Sequence, residues 1–254
     1  MGKAKPFDIP KREVWEAFKR VRANQGAAGV DAQSIAEFEG DLSNNLYKLW
    51  NRLASGSHFP PPVRRVDSPK GDSKTETGPL GIPTVADRIA QEVVKRYLEP
   101  IVEPIFHEGS YGYRPGRSAI DTVRKARQRC WRYDSLPMDA SLHRTLVEGA
   151  STDGGRQDRA AYGGNSQGGV VSPCLANLFL HYVFDMGMVR EFPDIPFERY
   201  ADDLICHCRS AEEARALSFG GPLRGLQAGA AFAEDKARLL QGCKPEGRLS
   251  DPVV

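Results

Sequence analysis

The stretch FERYADDLICHC, residues 197–208, sets two adjacent carboxylates, Asp202 and Asp203, in a run whose other members favour strand. Adjacent carboxylates repel each other, and burial raises their pKa. A divalent cation resting on them removes both penalties, and hard oxygen ligands suit Mg²⁺. Two such ions about 4 Å apart clamp the attacking and leaving oxygens of a phosphoryl transfer. Side chains of neighbouring residues on a strand point to opposite faces, so that clamp requires a further carboxylate from a second strand. The plainer reading is a hairpin tip, because aspartate is a favoured turn residue. Tyr200, an amphipathic aromatic two residues before Asp202, and apolar strand on both sides favour the metal.

Other residues with chemical potential are fewer. From Arg114 to Arg132 there are seven basic residues and one acid, Asp121, a pattern that suits nucleic-acid phosphates or an ordinary solvated helix face. Cys206, His207 and Cys208 cannot share one zinc ion from a single strand, since the cysteines take one face and the histidine the other. They read better as core residues.

These residues depend on the elements around them. Val14, Ala17, Phe18 and Val21 recur at helical spacing after Asp8-Ile9-Pro10, which can start a helix. Ile35 to Leu53 predicts a second long helix. Pro60 to Pro62 enforce an extended segment. Val85 to Leu98 predicts a third helix with Ile89, Val93, Val94 and Tyr97 inward, and Ser118 to Trp131 a fourth bearing the basic face. Ser172-Pro173 opens a helix whose apolar stripe is Leu175, Leu178, Phe179, Tyr182 and Val183. The acids then sit in a strand hairpin. Residues 135–166 have little periodicity.

The 254 residues, 40% apolar with a net charge of +2, suit a globular chain. Five cysteines in irregular positions and no leader-like or membrane-spanning apolar run predict a soluble, cytoplasmic protein.

Tyr200-Ala201-Asp202-Asp203 looks like the YADD motif of reverse transcriptases. QGGVVSPCLANLFLHYVFD resembles the block before it in bacterial group II intron reverse transcriptase/maturases. GPLGIPTVADRIAQ, SYGYRPGRSAIDTV and KPFDIPKREVWEAFKRVRANQGAAGVD resemble three further blocks of that family, in its order. The resemblance covers residues 5–134 and 167–215. It implies an α+β fold, with helical fingers (1–134) and a small antiparallel palm sheet (167–215). The reaction implied is RNA-templated attack of a DNA primer 3′-hydroxyl on a deoxynucleoside triphosphate (dNTP), with two Mg²⁺ ions. Group II intron RNA is the further implied partner. By the same resemblance, Asp202 and Asp203 would bind metal, with Asp202 the more direct ligand. Tyr200, Gln167, Gly168, Gly169 and, more weakly, Lys236 would lie along template and nucleotide. Arg114, Arg117, Arg124 and Lys125 would meet RNA.

The chain departs from the family in one region. The first catalytic aspartate, expected in an apolar strand between Asp134 and Gln167, is missing; Asp134 and Asp139 are the nearest acids, the first preceding the block's usual place and the second lacking strand context. Codon degeneracy allows residues 135–166, read one base later, to encode a family-like segment that ends in Thr-Pro directly before Gln167. The expectation is therefore a truncated, frameshifted copy. Its junction at 135–166 replaces the first catalytic strand, its palm is incomplete, its tail from 216 is degenerate and it lacks a thumb. Such a copy would be defective in synthesis. A non-catalytic RNA-binding fragment or a pseudogene product is the alternative.

Overall fold

The computed structural model describes residues 6–69, 77–134, 143–147, 169–209, 213, 216–217 and 237–241. The chain divides into two compact units, residues 1–105 with 158–176, and residues 106–157 with 177–254.

In the first unit α1 (Lys11–Asn24) buries Val14, Ala17, Phe18 and Val21, the four residues its periodicity selects. Pro10 is the N-cap, and no side chain caps the helix. The predicted second helix is two. A capping box between Ser34 and Glu37 starts α2 (Ile35–Gly40). Asp41, at φ −130° and ψ 49°, breaks the chain before α3 (Leu42–Ser55). Left-handed Gly56 ends α3, its N–H and that of Ser57 returning to the carbonyls of Leu53 and Arg52. α4 (Val85–Val102) opens on a Thr84 cap and packs Val85, Ile89, Ala90 and Val93 against α1 and Phe38. Val94 and Tyr97, expected inward, are exposed. They lie on a second apolar stripe with Ile101, rotated away from the buried one. β1 (Arg64–Pro69) and β2 (Thr77–Ile82) form an antiparallel ribbon.

The second unit carries a four-stranded antiparallel sheet in the order β4-β5-β3-β6. β4 (Phe197–Tyr200) and β5 (Asp203–Cys206) are the hairpin. β3 (His143–Val147) pairs with β5 on one side and β6 (Ala237–Gln241) on the other. A strand thus forms inside the segment whose sequence shows no strand pattern. α5 (Ala119–Asp134) packs toward β4. α6 (Ser172–Leu180) runs through a π-helical turn, His181–Asp185, into α7 (Met186–Glu191). Phe179 and Tyr182, expected in the buried stripe, are exposed, whereas Asn177, His181 and Asp185 are buried. The inward face of this helix is partly polar because a buried arginine waits for it. The architecture is α+β.

Candidate active site

β4 and β5 pair in the register Phe197↔Cys206, Glu198↔Ile205, Arg199↔Leu204 and Tyr200↔Asp203. Ala201 and Asp202 are left as a two-residue turn. Ala201 sits at φ +57°, a left-handed backbone that costs a residue with a Cβ about 1 kcal/mol. Asp202 and Asp203 are both exposed at the tip. Asp203 shares a sheet face with Tyr200, its cross-strand partner. The half-buried Tyr200 ring lies 6.3 Å from that of Tyr113.

The turn rests on Arg199, which is fully buried. A guanidinium has five N–H donors in a fixed fork, and here each has an acceptor. Nε donates to Asp185 Oδ1 (2.9 Å) and Nη2 to Asp185 Oδ2 (2.8 Å). Nη2 also donates to Ser110 Oγ (2.8 Å). Nη1 donates to Asn177 Oδ1 (2.9 Å) and to the carbonyl of Ala201 (3.0 Å). The backbone of Arg199 is held too: its N–H donates to the Gly109 carbonyl and its carbonyl accepts from Tyr111. Asn177 Nδ2 donates to the Gly112 carbonyl. Gly112 must be glycine, because a Cβ there would overlap the Ala201 backbone.

The opposite face of β4 carries a second buried network. Glu198 Oε2 lies 2.6 Å from His207 Nε2, and Glu198 Oε1 lies 2.8 Å from Arg129 Nη1. Arg129 Nη1 also donates to the Phe197 carbonyl (3.1 Å). Burial alone would lower the His207 pKa, but hydrogen bonds to Cys130 and Glu198 outweigh it and raise it. Cys206 and Cys208 are packed in the apolar cluster with Phe184, Met188, Leu204 and Leu217. Burial pushes both thiols up, that of Cys208 to about 11. The cysteines are core residues, as their alternation predicts.

The remaining expected site residues scatter. Gly169 is buried just before α6, in the first unit. Its neighbours Val170 and Val171 donate their N–H groups to Gln91 Oε1 at 2.7 and 3.5 Å. Gln91 Nε2 in turn donates to the buried Asp87, which also faces His58. Arg114 is buried, with Nη1 donating to the carbonyls of His107 and Ser110 at 2.8 and 2.7 Å and its guanidinium over the Phe106 ring. Arg114 thereby ties together the 107–117 loop. Arg117 is half-buried, donating to the carbonyls of Glu108 and Ser110 and stacking on Tyr111. Arg124 and Lys125 are exposed on α5, Arg124 beside Asp121 at 2.8 Å. Asp134 ends α5. Gln167, Gly168, Lys236 and Asp139 lie outside the described residues.

Two oxygen-donor carboxylates on an exposed, braced turn suit a hard cation. The strand beside β5 offers no third, since β3 reads HRTLV. Among the described residues no cluster of three or more His, Cys, Asp or Glu side chains could hold a metal ion. The described residues thus offer two carboxylates at the turn and no third, fewer than a two-ion clamp needs.

Residues 68–219, more than half of the chain, match the family model described as reverse transcriptase (RNA-dependent DNA polymerase). The chain belongs to the reverse transcriptase family. Members of that family generally use a divalent metal, and the matched residues include Tyr200 to Asp203. Protein YkfC of Escherichia coli (strain K12) is 34% identical over 218 residues, covering 73% of this chain and 54% of that protein. The group II intron-encoded protein LtrA of Lactococcus lactis subsp. cremoris is 31% identical over 193 residues, 65% of this chain and 32% of that protein. An uncharacterized 91 kDa protein in the cob intron of Schizosaccharomyces pombe is 31% identical over 199 residues, 65% of this chain and 23% of that protein. The chain thus spans about half or less of the curated relatives it matches. Two of these relatives are described as an intron-encoded protein and a protein in an intron. No helix among the described residues is long and apolar enough to cross a membrane.

The sequence singled out the acids of FERYADD but not the arginine three residues before them. Its signal was present: a charge pair, Glu198-Arg199, stands between Phe197 and Tyr200 in a strand that is otherwise core.

Proposed function

We propose that this chain is the YADD-bearing portion of an RNA-directed DNA polymerase encoded by a group II intron, in a copy impaired in DNA synthesis. Asp202 and Asp203 hold Mg²⁺, which when bound supplies charge stabilisation to phosphoryl transfer. Tyr200 and the Gln167–Gly169 segment lie along template and incoming dNTP, with Lys236 near the nucleotide. Residues 1–134 serve as fingers and 167–215 as palm. The observation that carries the reading is the braced hairpin, with both carboxylates exposed beside a strand, HRTLV, that has no acid. Primer extension on an RNA template with Mg²⁺ tests it. Little or no synthesis is expected, and robust synthesis abolished by Asp203→Ala contradicts the impairment.

A second reading, binding without catalysis, is favoured by the exposed Arg124 and Lys125 on α5. Intron RNA would then be held electrostatically. Affinity falls with rising salt and survives Asp202→Ala; an affinity indifferent to salt removes this reading.

A further inference from the structure

We propose that Arg199 is the positioning residue of the acidic turn: its buried guanidinium fixes the Ala201 carbonyl and so aims Asp202 and Asp203. The inference rests on the reading of those carboxylates as divalent-ion ligands.

Arg199 makes more bonds than its charge requires. One salt bridge to Asp185 would neutralise a buried arginine, yet this one is tied to four separate segments. Ser110 belongs to the loop before α5, Asn177 to α6, Asp185 to the π-helical turn and Ala201 to the hairpin tip. Three of them are core anchors. The fourth is the residue directly before the acids, in a strained left-handed conformation. A strained turn relaxes unless its surroundings over-determine it. Two contacts do so here: the Nη1 donor on the Ala201 carbonyl, and Gly112 packed against the Ala201 backbone. Asn177 joins them, because it accepts from Arg199 and donates to the Gly112 carbonyl. The planar fork matters as well as the charge. A lysine keeps the charge opposite Asp185, but its three donors on one nitrogen are too few for the five bonds that the fork makes to Asp185, Ser110, Asn177 and the Ala201 carbonyl.

Binding of Mn²⁺, followed by the electron paramagnetic resonance signal of the free ion, tests this on the full chain. The wild type is expected to bind, and Asp202→Asn with Asp203→Asn to abolish binding. Arg199→Lys should remain folded and lose affinity about tenfold or more, the usual scale for removing a group that orients a metal ligand. Asn177→Ala, which leaves the Arg199–Asp185 pair intact, should lose several-fold; it decides the matter if Arg199→Lys melts without cooperativity. Wild-type affinity in cooperatively melting Arg199→Lys or Asn177→Ala overturns the positioning role alone. Equal binding by the wild type and the double aspartate variant, or none by the wild type, overturns the metal reading and this inference with it.

Discussion

Glu198 and Arg199 are neighbours of opposite charge buried on opposite faces of one strand, and their surroundings differ. The Arg199 fork has an acceptor for every donor, and one of its bonds ends on the acidic turn. Glu198 has two cationic neighbours, but its Oε1 lacks a well-aligned hydrogen bond although Arg129 lies 2.8 Å away. The Arg129 donor is drawn instead toward the Phe197 carbonyl. The first network fixes geometry at a single point. The second ties α5 to the sheet and leaves slack that pH can act on. A buried ion pair is weak evidence for stability by itself; what separates these two is how completely each is satisfied and where each one leads.

The largest effect should come from breaking the saturated side. Arg199→Met strands the Asp185 carboxylate in the core and should cost about 3–5 kcal/mol in urea unfolding. A loss below about 1 kcal/mol would mean the network is not intact in solution. Next, Gly112→Ala drives a Cβ into the Ala201 backbone and should destabilise by about 1–3 kcal/mol. Circular dichroism melts would show it, and an unchanged melting temperature would place the loop away from the turn.

The slack side should reveal itself through pH. The His207 pKa is raised in the folded state. Its charged form therefore contributes stability fully below the unfolded value of about 6.5, and the contribution is lost as pH rises through the higher folded value. Wild-type stability should fall as pH rises above about 6.5 more steeply than that of His207→Gln. Parallel curves would remove His207 from the network. The smallest effect belongs to the turn: Ala201→Gly relieves the positive φ and should stabilise by about 0.5–1 kcal/mol. A destabilised Ala201→Gly would contradict the strain.

Much of this was legible where apolar periodicity governs. α1 buries the residues its spacing selects, and the alternation of Cys206, His207 and Cys208 predicted their faces. It failed where polar groups face inward. The α6–α7 face is set by Asn177, His181 and Asp185, so the apolar stripe pointed to Phe179 and Tyr182, which are exposed. α4 failed differently, because two apolar stripes compete and only the one through Ile89 and Val93 meets α1. β3 has no alternating pattern, and its pairing with β5 and β6 is a long-range fact that no local window contains. The acids of the turn were found because two carboxylates in a strand are conspicuous. The arginine behind them was missed because a single buried charge announces its role only through partners up to 89 positions away in the chain.

We propose that the braced acidic turn grips one divalent ion beside a strand without a carboxylate. Crystals soaked in Mn²⁺, with data collected at the manganese absorption edge, test it most directly. One anomalous peak bonded to Asp202, with water rather than a third carboxylate completing the shell, is the result expected. Two peaks bridged by an acid from elsewhere in the chain, or none at the turn, would contradict it.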